Sequence, residues 1–343
     1  MATIRDVAEK AQVSVSTVSL AYSQPHRVSD ATRDRVMAAA AELHYRPNGI
    51  ARDLRTRRTD TIGVLLQHIS GPFYSELISG VEEIGNALGL STITARIAPQ
   101  SHDGATRLLR EARVDGAIVL APAIETTDLL RYASARLPIV VLDRKALQST
   151  PSNFLSSVTA DHRTGGYLVG RHLLTQGFQR FGLIAGPVDS EDSQLRQVGF
   201  YQALVEAHYD VASVPVVHSD FTEAGGARAM ATLLAGSAML DAIFAVNDEM
   251  AVGALRVLID RGLRVPEDVG VIGYDDIRLA QYLHPPLSTV HQPMHELGIA
   301  AMKRLYLAMT SPEPVASEIL PVTLVPRAST QRHQKAGDCP NAS

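Results

Sequence analysis

From Ile62 onward the chain alternates short, continuous apolar runs with amphipathic helix-like stretches, and this alternation limits the fold more than any other feature. Runs of strand type stand at 62–66, 91–97, 116–121, 138–142, 181–185, 214–218, 242–246, 269–273 and 319–325. Helix-like stretches at 73–90, 104–114, 125–136, 163–177, 194–208, 222–235, 248–262 and 294–309 fall between them. Strands that alternate with helices predict βαβ units and parallel sheet. Unbroken apolar runs suit strands covered on both faces. About 265 residues of this pattern exceed one comfortable open sheet, so two Rossmann-like α/β lobes are expected. The break between them is expected near residue 160.

The first 60 residues have a different texture. They read as helical, and they hold ten Lys/Arg against seven Asp/Glu. The formal net charge of −4 is therefore +3 on residues 1–60 and −7 on the remainder. A mildly acidic total does not exclude nucleic-acid binding when the positive charge is concentrated at one end. The single cysteine, Cys339, excludes an intrachain disulfide framework and a cysteine-based zinc cage. No apolar core of a secretory signal follows the first Met, and no window approaches the ~18 consecutive apolar residues of a membrane span. The expectation is a cytoplasmic protein with no membrane association.

Within the head, Thr3 can cap a helix from Ile4, with Asp6 closing a partial capping box. Ile4, Val7, Ala8 and Ala11 then share one face. Ser14 can cap a second helix from Val15, and Ser29 a third through ATRDRVMAAAAELHY. Two short helices joined by a tight turn, with a third behind them, match the helix-turn-helix plan. That plan aims Val15, Ser16, Thr17 and Leu20 at bases or the nearby backbone. The hydroxyls of Ser14, Thr17 and Ser19 suit phosphate oxygens. A plain helical scaffold with capping serines is the alternative that spacing alone leaves open.

The stretches IRDVAEKA, VSVSTVS, ATRDRV and LHYRPN-GI-AR-D-L occur in one order. With them, the chain resembles the LacI family of bacterial transcriptional regulators along nearly its whole length, to about Ser329. The resemblance implies a small all-α helix-turn-helix head at 1–46 and a hinge helix and linker at 47–60. A periplasmic-binding-protein-like core follows at 61–330, and a polar tail at 331–343. Lobe one would comprise about 61–160 and 292–320, lobe two about 161–291 and 321–329. One departure is Gln12, where the family usually has Gly in a turn that favours positive φ. The implied partners are double-stranded operator DNA, a second copy of the chain and a small polar effector. No cofactor, metal or enzymatic activity is implied.

The same resemblance assigns DNA contacts. Thr3, Arg27 and Tyr45 join Ser14, Val15, Ser16, Thr17, Ser19 and Leu20 in the head. In the hinge, Leu54 would wedge into a minor-groove base step, with Arg52 and Arg55 countering phosphate charge. Read without the family, NGIARDLRTRRT is a short, charged, Gly-bearing linker and a poor isolated helix.

In the core, ligands of α/β sheets gather at strand C-terminal ends. There the family pattern implies Phe73, Tyr74, Asp161, Ser190, Asp192, Arg196, Phe221, Asn247 and Asp275 as effector contacts. Asp161 could equally cap a helix, and of Asn247 and Asp248 one would bind while the other caps. Asp276 is expected to cap the following turn, and His291 to pack where the chain recrosses between lobes. Paired carboxylate and amide groups with an arginine fork suit a sugar, polyol, sugar acid or nucleoside. Phosphate loops, dinucleotide fingerprints, HExxH and GxSxG are all absent, which argues against an α/β enzyme. The basic head argues against a sugar-binding transport receptor.

Overall fold

The computed structural model describes residues 2–46, 58–97, 103–111, 113–120, 124–144, 154–236, 239–311 and 313–332. The chain forms two compact units, Met1–Thr59 and Asp60–Ser343.

In the head, α1 (Ile4–Lys10) opens on a complete capping box. Thr3 N–H donates to the Asp6 carboxylate at 2.7 Å, and Asp6 N–H donates back to the Thr3 hydroxyl at 3.4 Å. Ser14 caps α2 (Val15–Ser23), its oxygen accepting from Thr17 N–H at 3.1 Å. Gln12, in the turn between them, sits at φ +54°, the region where glycine is favoured. The α3 helix (Asp30–Glu42) starts after Ser29, but the expected side-chain cap is not made. The Ser29 hydroxyl donates instead to Thr32 Oγ1 at 2.9 Å. Val7, Ala8, Ala11, Val18, Ala21, Val36, Ala39 and Ala40 bury the faces that the periodicity marks as apolar.

In the second unit, β1 (Thr61–Leu66), α4 (Pro72–Ala87), β2 (Ser91–Arg96), α5 (Asp103–Arg110), β3 (Gly116–Leu120), α6 (Thr126–Ser134), β4 (Ile139–Leu142) and β5 (Leu155–Ala160) follow one another. They build a parallel sheet in the order β11-β5-β4-β3-β1-β2, with β11 (Glu318–Leu320) added at the β5 edge. A second parallel sheet, β7-β6-β8-β9, uses β6 (Phe181–Ala185), β7 (Val216–His218), β8 (Ala242–Ala245) and β9 (Gly270–Ile272). Its helices are α7 (His162–Thr175), α8 (Glu191–Glu206), α9 (Glu223–Ala235) and α10 (Asp248–Asp260). After β10 (Thr289–His291) the chain returns to the first lobe as α11 (Met294–Thr310), which packs against α4 and β3–β5. Finally β12 (Thr323–Val325) pairs antiparallel with β10. The lobes are thus joined three times, between Ala160 and His162, His291 and Met294, and Leu320 and Thr323.

The single apolar run expected at 319–325 is two strands in two sheets. Pro321 lacks an N–H and divides them. Two strands escaped the sequence pattern altogether: β5, LSSVTA, and the three-residue β10.

Two glycines set how closely α7 and α8 cross. A Cβ at Gly166 would lie 1.8 Å from Arg196 O, and one at Gly199 would lie 1.9 Å from Arg163 O. This contact presses the backbone of Arg196 onto α7 and fixes where its guanidinium can reach.

Candidate functional sites

The amino-terminal end of α2 presents a cluster of hydroxyls. Ser14 Oγ lies 2.7 Å from Ser16 Oγ and 2.8 Å from Thr17 Oγ1. Val15 is 42% exposed and Ser16 is exposed, while Val18 one turn on is fully buried. Thr17, Ser19 and Leu20 are half-buried. Free N–H groups at a helix start, together with hydroxyls, form a surface suited to phosphate. Thr3 is exposed with its hydroxyl held by Asp6 at 3.0 Å. Arg27 is exposed and donates to Gln24 Oε1 at 3.0 Å. Tyr45 is half-buried, its ring 6.2 Å from that of Tyr22. Arg52, Leu54 and Arg55 lie outside the described residues.

In the second unit a cavity of about 380 Å³ opens at the C-terminal ends of strands from both sheets. That volume falls in the range of small-molecule sites. Phe73, Tyr74, Ser190, Asp192, Arg196, Phe221, Asn247 and Asp275 all line it, although they come from five separate stretches of sequence.

Arg196 organises the floor. Its side chain is 3% exposed. It donates to the Val246 carbonyl, to Gln292 Oε1 at 2.9 Å and to His162 Nδ1 at 3.3 Å. The guanidinium also lies 3.5 Å from Asp275 Oδ1 and 3.6 Å from the Asp192 carboxylate, and stacks 3.9 Å over the Tyr274 ring. Burial opposes its charge, but Asp275 and Asp192 outweigh that and hold it more firmly protonated than a free arginine. His162, accepting at Nδ1, donates from Nε2 to Asp143 at 2.9 Å. Asp143 directly follows β4 in the first lobe and His162 opens α7 in the second, so this network spans the cleft. Burial pushes the Asp143 carboxyl up, but His162 and Arg196 pull it below the ordinary value.

Asp275 sits at φ +115°, and its Oδ1 is buried with no hydrogen-bond donor. Burial drives its carboxyl well above the ordinary range, only partly countered by Arg196. Phe221, at φ +64°, accepts at its carbonyl from Asn247 Nδ2 at 2.9 Å. Its ring covers Gly186, where a Cβ would come within 2.4 Å. Asn247 is also the N-cap of α10, accepting from Met250 N–H at 3.0 Å, so it caps and lines the cleft at once. Ser190 caps α8 and donates to Asp192.

Three expectations need correction. Asp161 is not part of the cavity lining: its carboxylate caps α7, accepting from Thr164 N–H at 3.1 Å and Thr164 Oγ1 at 2.7 Å. Asp276 does not cap a turn. It accepts from Arg327 at 2.6 Å and faces His291 Nδ1 at 3.2 Å, tying β10 to the last segment. Asp248 neither caps nor lines the cleft. It is buried, accepting from Ile277 N–H and the Thr289 hydroxyl.

Sequence reasoning missed Asp143, Glu249 and Gln292. Asp143 ends IVVL as Asp275 follows GVIGY, so the strand-end rule could have found it. Nothing local marks Gln292, whose partner is 96 residues away.

The model for bacterial regulatory proteins of the lacI family matches residues 3–48, and that for a periplasmic binding protein-like domain matches 171–330. The transcriptional repressor PurR of Erwinia tasmaniensis is 36% identical over 334 residues, covering 96% of this chain and 97% of that protein. The PurR repressor of Klebsiella pneumoniae is 36% identical over 308 residues, 89% of each chain. The chain belongs to the lacI family. Among solved structures, the Lac repressor dimer bound to operator and an anti-inducer superposes with a TM-score of 0.84 at 30% identity, over 96% of this chain and 99% of that one. A complex of the regulator CelR with cellobiose gives 0.70 at 32% identity, over 96% and 100%. This family member is a DNA-binding transcriptional regulator and not an enzyme. Among its described residues no helix is long and apolar enough to cross a membrane.

Proposed function

We propose that this chain is a cytoplasmic repressor that binds a palindromic operator as a homodimer. A small polar ligand in the inter-lobe cleft sets its affinity for that operator. The observation that carries this is the Arg196 network, a buried cation joining Asp275, Asp192, Gln292 and His162 at the floor of a cleft that two lobes share. A ligand there touches both lobes and so has different affinity for their open and closed arrangements, as any ligand-driven switch requires.

The proposed division is a head at 1–46, a hinge at 47–60, and a core at 61–330 with lobe one at about 61–160 and 292–320. Ser16, Thr17 and Leu20 on α2 read the major groove, with Thr3, Ser14, Val15, Ser19, Arg27 and Tyr45 around them. Leu54 with Arg52 and Arg55 occupies the minor groove. Phe73, Tyr74, Ser190, Asp192, Arg196, Phe221, Asn247 and Asp275 hold the ligand.

A thermal-shift screen against sugars, polyols and nucleosides identifies the ligand, since binding to the native state raises its stability. That ligand then shifts operator affinity in a fluorescence anisotropy titration of the full chain. Arg196→Ala and Asp275→Ala lose the ligand response and keep operator binding. A normal dose response in both variants rejects the proposed site.

A further inference from the structure

The charge of the cleft restricts its ligand further. Among the described residues, seven carboxylates line the cavity against two guanidiniums. One of those guanidiniums, Arg196, is already committed to Asp275, Asp192, Val246 O and Gln292. An incoming anion would find the arginine fork occupied and carboxylates on the surrounding wall.

Of the lining carboxylates that are not exposed, Asp275 shares its cation, Arg196, with Asp192, and Glu249 has none among the described residues. Glu249, in the first turn of α10, makes no hydrogen bond or ion pair with any described residue and lines the cavity. Asp275 is 6% exposed, and its Oδ1 has no donor. Burial raises both carboxyls above their ordinary values, and Asp192 and Glu249 add repulsion at Asp275. A positive charge placed between them would relieve all of these effects together. A metal ion does not fit the role: no group of three or more His, Cys, Asp or Glu among the described residues is placed to hold one. Phe73 and Phe221 instead offer ring faces, which attract an organic cation as well as an apolar sugar face.

We infer that the ligand is an organic cation of monosaccharide size, an amino sugar or amino polyol whose ammonium group sits between Glu249 and Asp275. This rests on the cleft being the ligand site. It excludes the sugar acids and phosphorylated sugars that an arginine at the floor would otherwise invite.

Matched trios that differ at one group test it in the full chain at pH 7: glucamine, sorbitol and gluconate, then glucosamine, glucose and glucuronate. In at least one trio the amine raises the melting temperature most and binds at least tenfold tighter than its anionic counterpart by calorimetry. Added salt weakens that preference. Glu249→Gln reduces it about tenfold, and lowering the pH through the raised Glu249 value reduces it similarly in the parent chain. A neutral or anionic member that binds as well as the amine overturns the inference and leaves the cleft as the ligand site. Absence of binding by every member overturns it too. A neutral ligand from the wider screen whose effect needs Arg196 would then still support the cleft.

Discussion

Asp248 is buried at the start of α10, accepting from Ile277 N–H at 2.9 Å and from the Thr289 hydroxyl at 2.7 Å. Burial pushes its carboxyl up to about 7, more than those two donors can offset. The folded chain therefore holds a proton here that the unfolded chain has released. The stability this group contributes is full below about pH 4 and is lost as pH rises through about 7. Asn at this position can accept from Ile277 and donate to Thr289 without a charge. Asp248→Asn should hence remove part of the stability loss between pH 4 and 7, on the order of 1–4 kcal/mol, in urea unfolding at stepped pH. Parallel pH profiles for the two chains would contradict this. The sequence marks Asp248 and Asn247 as a pair with divided roles, and the division came out differently. Which one caps depends on the distant Ile277 and Thr289 that claim Asp248. Asp161 failed for a similar reason, since Thr164 three residues on satisfies both its oxygens.

At the scale of elements, the α7–α8 crossing carries Arg196 into the cleft. A methyl group at Gly199 would collide with Arg163 O at 1.9 Å, and backbone cannot turn aside as a side chain can. Gly199→Ala should cost about 1–3 kcal/mol and lower the melting temperature by several degrees. It should also weaken ligand binding, because the guanidinium rides on the displaced helix. In the head, Gln12 at φ +54° holds strain that glycine would not. Gln12→Gly should stabilise α1 and α2 by about 0.5–1 kcal/mol, read as slower hydrogen exchange of their amides. Most elements were legible because apolar runs or a 3.6-residue period announced them. The strand β5 was not: Ser156 and Ser157 are buried in it, and serines in sequence suggest a turn. Its neighbours β4 and β11 supply the ladder that makes it a strand.

At the scale of the whole molecule, the division of charge into +3 over residues 1–60 and −7 over the rest places attraction for DNA at one end. Operator affinity should fall steeply with salt, since each neutralised phosphate releases counterions. Leu54→Ala should weaken operator binding sharply and leave ligand binding unchanged, checked by anisotropy and calorimetry on the same preparation. The two units were legible in sequence as a change of texture at Ile62. The three crossings between lobes were only partly so, because β10 is short and Pro321 splits a run that looks continuous. In the proposed switch the head selects a two-fold operator on behalf of a ligand-binding core. Selection of bound sites from a random duplex pool tests it most directly, run with the full chain and with a chain lacking residues 1–59. The full chain should enrich a single inverted repeat and the truncated chain none. Enrichment of no sequence by the full chain, or of the same repeat by both, would contradict the account.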